Sequence, residues 1–325
     1  MLREWKATEK PEEGELKKRL IAARDKLARQ QMLIKEKKVP VLVLMEGWGT
    51  AGKGSCIGEI IQNIDPRFFK VESMEKKTEE EERRPFLYRH FAKIPEAGKF
   101  VFLDSGWMGE TVGDYLRGEL KESEYTKRIE SIRRFERQLT DNGYLVMKFF
   151  LHISEKEQKK RIKHLTEEKD TMWRVNRNDM WQNHHYEKCV DAFSSYMKDT
   201  SMPSAPWYII DAKSKKWTEL QVLETLTQGI DIAFNNRDMA VPLLQNVFPL
   251  EKMPLLSEIP LDKELADEEY QEELKRLQTR LGDLHNRLYR KKVPVIIAYE
   301  GWDAAGKGGN IKRITGALDP RGYEV

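Results

Sequence analysis

Two cysteines, Cys56 and Cys189, are all that the 325 residues contain. A disulfide framework is thereby excluded as the stabilising device, and both thiols are expected to be free and in helices. Long apolar runs are also missing: no stretch approaches the about 20 consecutive apolar residues that a membrane-spanning helix needs. The opening residues, Met1-Leu-Arg-Glu-Trp, carry charge where a secretory signal has its apolar core. These absences make the cytoplasm the expected location, with no membrane partner. An excess of one charge sign is lacking too. Lys and Arg number 57 against 54 Asp and Glu, a net +3, which is too even for a general nucleic-acid binder but allows local basic patches.

What the sequence does hold is a strand, a glycine turn and a helix in immediate succession. Val41 to Met45 is short, apolar and rich in β-branched residues, the pattern of a strand buried on both faces. It runs into Gly47-x-x-x-x-Gly52-Lys53-Gly54 and then a helical pattern from Ser55 to Ile64. That is the context of a phosphate-binding loop. Gly47, Gly49, Gly52 and Gly54 let backbone N–H groups turn inward around an anion. The helix N-terminus adds its positive dipole end, and Lys53 adds a mobile charge. A chance glycine turn is the competing reading; the strand before and the helix after argue against it.

The stretch recurs. A shift of 254 positions, without a gap, carries Val39-Pro40 to Val293-Pro294, Glu46-Gly47-Trp48 to Glu300-Gly301-Trp302, and Ala51-Gly52-Lys53-Gly54 to Ala305-Gly306-Lys307-Gly308. Asp65-Pro66-Arg67 falls on Asp319-Pro320-Arg321. A period this long is a duplicated domain rather than a solenoid repeat. The expected organisation is a first domain over 1–237, a proline-containing linker over 238–263, and the beginning of a second domain over 264–325.

Between the two loops, strands alternate with helices. Further strands are expected at Phe69–Ser73, Lys99–Asp104, Leu145–Ile153 and Ala205–Asp211. Helices are expected over 12–36, 124–142, after the Ser154/Glu157 capping box, over 183–200 and 216–236, and over 264–291 before the second strand and loop. The alternation argues for an α/β fold: a parallel five-stranded sheet with helices on both faces. The partial second copy, with no sheet of its own, is expected to be poorly ordered or to lean on the first domain.

A nucleotide-binding loop usually has Ser or Thr after its lysine, to bind Mg²⁺. Here both positions are glycine, Gly54 and Gly308. In the second copy Asp303 lies inside the loop, where a carboxylate reaches a hard cation; the matching first-copy residue is Gly49. Asp104 closes the third strand, where it is placed to bind a metal or orient a nucleophile, with a turn aspartate or helix cap as the bland alternative. Lys159, Lys160, Lys163, Arg174 and Arg177 form a candidate lane for a polyanion, against the alternative of a solvated helix face.

These residues carry a resemblance. Gly301-Trp-Asp-Ala-Ala-Gly-Lys-Gly-Gly309 with Leu318-Asp-Pro-Arg-Gly322, and in the first copy Arg83-Arg-Pro-Phe-Leu-Tyr-Arg89, Leu151-His-Ile-Ser-Glu-Lys-Glu-Gln158, Trp173-Arg174 and Ala205-Pro-Trp207, are similar to the polyphosphate kinase 2 family. The tandem arrangement resembles its two-domain members, the polyphosphate:AMP phosphotransferases. The resemblance implies a P-loop kinase-like fold and transfer of a terminal phosphoryl group from inorganic polyphosphate to a nucleoside monophosphate such as AMP, with Mg²⁺. It implies Lys53, Asp104, Asp303 and Lys307 as catalytic, with Asp104 and Asp303 on the metal and Gly301, Gly306 and Gly308 among the phosphate-binding glycines. It also adds Arg83 and Arg89 to the lane and makes a homo-oligomer the expected assembly.

The first copy departs from the family pattern. The family's loop aspartate is Gly49, and its Asp-Arg-Ser-Trp-Tyr run is Asp104-Ser-Gly-Trp-Met108, without the arginine. The first domain is therefore expected to be weak or inactive, and the main site is expected in the second copy. As the later strands of that copy are not in the sequence, the chain itself is expected to have little activity. Gly49→Asp with Ser105→Arg is the expected route to a gain. Two other readings stay open: an ATP-dependent small-molecule kinase, and a non-catalytic scaffold that binds polyphosphate.

Overall fold

A computed structural model of the chain describes residues 1–74, 77–167, 169–235 and 253–325. Five strands run β1 Val41–Gly47, β2 Phe69–Ser73, β3 Phe100–Asp104, β4 Leu145–His152 and β5 Trp207–Asp211. The helices are α1 Glu13–Lys37, α2 Lys53–Ile61, the short turns α3 Glu79–Glu82 and α4 Tyr88–Phe91, α5 Trp107–Leu116, α6 Glu122–Asp141, α7 Glu155–Glu167, α8 Arg177–His184, α9 Tyr186–Thr200, α10 Lys215–Asn235, α11 Asp267–Arg290 and α12 Lys307–Thr315. They fall into two compact units. The first takes Met1–Glu81 and the chain from Pro85 through α10; the second takes Glu82–Arg84 and the described residues from Met253 onward. Most of the expected linker over 238–263 lies outside the described residues.

In the first unit all five strands are parallel, in the order β2-β3-β1-β4-β5. β1 is central because it is the most apolar strand: Val41 to Met45 are fully buried, and Glu46 nearly so. It pairs with β3 from Val41–Phe100 to Met45–Asp104, and with β4 from Val41–Leu145 to Gly47–Leu151. That register brings the carboxyl ends of β1, β3 and β4 to one edge, where open α/β sheets carry their sites. β2, with its Lys and Glu, is an edge strand and half exposed.

The helices cover both faces of the sheet. α1 packs on α10 through a stripe of Leu16, Leu20, Leu27 and Ile34 at helical spacing. Gln30 Nε2 donates to the Thr227 carbonyl at 2.8 Å and to Asp231 at 2.6 Å, so both amide donors of a buried side chain are used across the contact. Both cysteines are buried free thiols, Cys56 in α2 and Cys189 in α9, as expected. The core also holds an ion pair. Lys148 in the middle of β4 and Glu136 of α6 are both 0% exposed and meet at 2.6 Å. Lys148 also donates to the Thr200 carbonyl at 2.8 Å, and Trp107 Nε1 donates to Glu136 at 3.0 Å.

In the second unit, α12 is held to α11. Gln278 Nε2 donates to the Arg313 carbonyl and Arg313 Nε donates to the Tyr270 hydroxyl, both at 2.8 Å. The expected second strand does not form: residues 293–300 are without a ladder, and Ile296 is 95% exposed. The reason is physical. β1 has a strand on either side to take up its backbone groups; no described residue offers that to the second copy. Its loop helix instead finds partners on α11.

Candidate active site

The two glycine turns have the same backbone. Gly47 has φ 142° and Gly301 153°; Thr50 has 62° and Ala304 61°; Gly52 has 95° and Gly306 82°. The last pair caps α2 and α12 in the left-handed region, where glycine carries no Cβ penalty. Thr50 and Ala304 adopt the same region with a side chain, at a cost on the order of 1–2 kcal/mol. The second turn reproduces the first without a sheet beneath it, so the conformation is local to the sequence. In both, the lysine folds back over the turn. Lys53 Nζ donates to the Trp48 carbonyl at 3.4 Å, and Lys307 Nζ donates to the Gly301 and Trp302 carbonyls at 2.8 Å.

The surroundings differ. In the first unit Trp48 is fully buried, stacks on Tyr186 with centroids 4.1 Å apart, and donates from Nε1 to His152 Nδ1 at 3.0 Å. Its counterpart Trp302 is 84% exposed, and Asp303 is exposed beside it. Asp104 ends β3, half-buried. A Cβ built on Gly54 would stand 3.1 Å from Asp104 Oδ2, so the sheet does bring Asp104 to the start of the lysine helix. The next residue, Ser105, is left-handed at φ 64°.

Glu46, one residue before the turn, is the first site residue that sequence reasoning passed over. It is 3% exposed, and its Oε1 accepts from the amides of Gly106, Met108 and Gly109 at 2.9–3.2 Å. An internal carboxylate thus fills the N-terminus of α5. Burial pushes its carboxyl above the usual range, against the pull of those amides and of Lys53.

The second such group is α7–α8. Gln182 Oε1 of α8 accepts from the Gly49 amide at 2.9 Å, and Gln158 Nε2 of α7 donates to the Gly49 carbonyl at 3.2 Å. Arg161 Nη1 donates to the Thr50 and Ala51 carbonyls, and Nη2 to those of Ala212 and Lys213, at 2.7–3.2 Å. Asp179, 6% exposed, closes a reciprocal cap at the start of α8 with Asn176 and turns its other oxygen to Gly49. Burial raises its carboxyl, opposed by the Asn176 amide and by Lys53. A Cβ on Gly49 would fall on the Asp179 carboxylate, within 2.6 Å of Cγ. One signal was available: a glycine stands where the second copy has a carboxylate, with an aspartate among the unassigned residues 165–182.

Arg161 is the strut of this arrangement, and its removal is expected to cost about 2–4 kcal/mol, since a charged donor is taken from four carbonyls at once. Arg161→Lys should recover little, because one ammonium cannot span the fork. A denaturation midpoint unchanged in Arg161→Lys would contradict this role.

The expected polyanion lane is brought together only in part. Lys159, Lys160 and Lys163 are exposed on α7, with Lys163 3.7 Å from Glu167. Arg177 opens α8, exposed, and Arg174 lies 5.4 Å from the ring of Trp173, which is 76% exposed. Arg83 is exposed. Arg89 stands apart from these exposed cations. It is 7% exposed, lying 3.6 Å from Glu81 and 3.9 Å from Glu110, with Lys77 2.6 Å from the same Glu110. Its charge is directed inward because α4 buries that face.

For a metal, the first unit offers Asp104 and the second Asp303. Among the described residues no cluster of three His, Cys, Asp or Glu side chains exists. Magnesium held by one carboxylate and by substrate phosphates fits such a donor set better than an all-protein cage would.

The chain is similar to several known proteins. A polyphosphate:AMP phosphotransferase of Pseudomonas aeruginosa is 31% identical over 315 residues, covering 95% of this chain and 63% of the relative. An AMP/ADP-polyphosphate phosphotransferase of Meiothermus ruber is 26% identical over 214 residues, covering 65% of this chain and 80% of the relative. Among solved structures, a Pseudomonas aeruginosa crystal structure assigned to polyphosphate kinase 2 aligns with a TM-score of 0.78 at 27% identity, over 100% of this chain and 63% of that one. Polyphosphate kinase 2 from Arthrobacter aurescens aligns at 0.62 with 25% identity, over 71% and 81%. The chain thus spans about 63% of the length of the Pseudomonas relative. A family model for polyphosphate kinase 2 matches residues 10–238 and again 264–325, both copies of the glycine turn included, and the chain belongs to that family.

Proposed function

We propose that the chain is part of a polyphosphate-dependent nucleotide phosphotransferase, acting with Mg²⁺ and accepting a nucleoside monophosphate such as AMP. The observation that carries this is the glycine turn built twice with one backbone, each time with a lysine at the start of the following helix. In the reaction an oxygen of the monophosphate attacks the terminal phosphorus of the polyphosphate. The new P–O bond forms as the bond to the chain breaks, giving a nucleoside diphosphate and a polyphosphate one unit shorter. Such a transfer needs charge neutralisation and in-line placement more than covalent help. Amides of the turn and Lys307 would hold the transferring group, and Asp303 would hold the metal that neutralises it. In the first unit, the exposed basic residues of α7 and α8 would line a polyanion at that unit's own turn.

The first copy is read as the weaker partner. Its turn has no carboxylate at residue 49, and Ser105 follows Asp104 where the family pattern has arginine. The names of the relatives in Pseudomonas aeruginosa and Meiothermus ruber support the substrates, and the family match supports the chemistry. Among the described residues no helix is long and apolar enough to cross a membrane.

The test is ADP formation from AMP and polyphosphate with Mg²⁺ and no ATP. Turnover in this chain is expected to be low. Lys307→Ala is expected to reduce it by on the order of 10²-fold or more, as loss of one preorganised charge does, while Lys53→Ala changes it little. Activity with ATP but not polyphosphate would favour the ordinary kinase reading, and a larger loss from Lys53→Ala would move the site to the first copy.

A further inference from the structure

The groups around Gly49 do what a bound phosphate would do. The Gly49 amide, of the kind that faces the anion in a phosphate cradle, already donates to Gln182 at 2.9 Å. A carboxylate, Asp179, lies on the same residue, in the volume a side chain there would fill. Lys53, the charge that a phosphate would draw, acts on both Asp179 and Glu46. Gln158 and Arg161 of α7 hold the carbonyls of the same turn, so α7 and α8 together grip Gly49, Thr50 and Ala51. Phosphate and Asp179 are both anions, and two unscreened anions do not share one cradle without a cation between them.

We propose that α8 is a built-in competitor for phosphate at the first turn: Asp179 and Gln182 occupy the anion side, and a polyphosphate chain gains it only when α8 lifts. Gly49 is the seat that admits Asp179. Its φ lies outside the left-handed region, so the backbone itself does not demand glycine; the carboxylate does. The first turn is then a phosphate cradle held shut from within, with Asp179 in the space that a side chain at residue 49 would take. This rests on the reading of the glycine turns as phosphate cradles.

The experiment is a calorimetric titration of the full chain with inorganic tripolyphosphate, in a Lys307→Ala background that silences the second turn. Asp179→Asn keeps the acceptor for the Asn176 amide and removes the charge. It is expected to bind tripolyphosphate about tenfold more tightly than its parent, the scale of one modest electrostatic term. Adding Lys53→Ala should erase the gain. Gly49→Ala, whose methyl group must evict Asp179, is expected to tighten binding in the same way and serves if Asp179→Asn fails to fold. Equal or weaker binding in both variants overturns the proposal while leaving the cradle reading intact. A gain that survives Lys53→Ala overturns it too, because the anion is then elsewhere. If no variant binds, and the chain with Lys307 intact does not bind either, the cradle reading falls with it.

Discussion

Lys148→Ala is expected to destabilise the first unit by about 3–5 kcal/mol, the cost of leaving one partner of a buried ion pair alone. For a unit of this size that is a fall on the order of 10 °C in the thermal midpoint. The residue is 0% exposed in the middle of β4, held by Glu136 at 2.6 Å and the Thr200 carbonyl at 2.8 Å, with the Trp207 ring 5.0 Å away. Truncation leaves a buried carboxylate facing a void and a carbonyl without its donor. Burial already pushes the Glu136 carboxyl upward, and without the ammonium it rises further. A group whose folded pKa is raised contributes stability below its unfolded pKa, and that contribution is lost as pH rises through the folded value. The deficit of Lys148→Ala should therefore be smaller near pH 5 than near pH 8. Lys148→Met with Glu136→Leu, which removes both charges and keeps volume, should recover most of the loss. Equal deficits at the two pH values, or a loss under about 1 kcal/mol, would show that the pair is not what holds this layer together. The consequence reaches the site, because Glu136 also accepts from Trp107, which opens α5 three residues after Asp104.

Gly49→Asp is expected to weaken the first unit, not to improve it. The sequence alone makes this substitution, with Ser105→Arg, a route to higher activity, because it restores the carboxylate of the second copy. In the fold the new Cβ lands on Asp179, and two carboxylates then compete for one buried space. Overpacking of this kind costs about 1–3 kcal/mol, and like charges add to it. Asp179→Ala in the same chain should remove the conflict. The cycle of Gly49→Asp, Asp179→Ala and their combination should therefore show a coupling of about 1–3 kcal/mol, the range for residues in contact. Any gain in phosphoryl transfer from the restored aspartate is expected only in the combined variant. Additive effects in the cycle would mean that the two positions do not meet.

Much of the fold could be read from residue patterns because those patterns are local. Phe69–Ser73 alternates as an edge strand does, Val41–Met45 is uniformly apolar as a central parallel strand is, and Asn142-Gly143 ends α6 where a left-handed residue is needed. The second turn shows how far local information goes: its dihedral angles match those of the first, yet the apolar run before it makes no strand, since a strand is a property of its neighbours. The candidate site was legible in the backbone of its turn and in the placing of Lys53 and Asp104 beside it, and illegible where distant segments meet. Gln182 and Gly49 are 133 positions apart, and nothing in either segment announces the other. Arg89 is a related case. Its motif says that a cation is there, but only the packing of α4 against Glu110 decides that it points inward.

On this reading the glycine turn is a phosphate cradle made twice, open in the second copy and shut in the first. A crystal structure of the chain with tripolyphosphate and Mg²⁺ tests it most directly. The predicted result is the anion on the amides of Gly301–Gly308 beside Lys307, with the metal at Asp303, and Asp179 still seated on Gly49. Tripolyphosphate on the first turn with Asp179 unmoved, or both turns empty and the anion bound elsewhere, would contradict it.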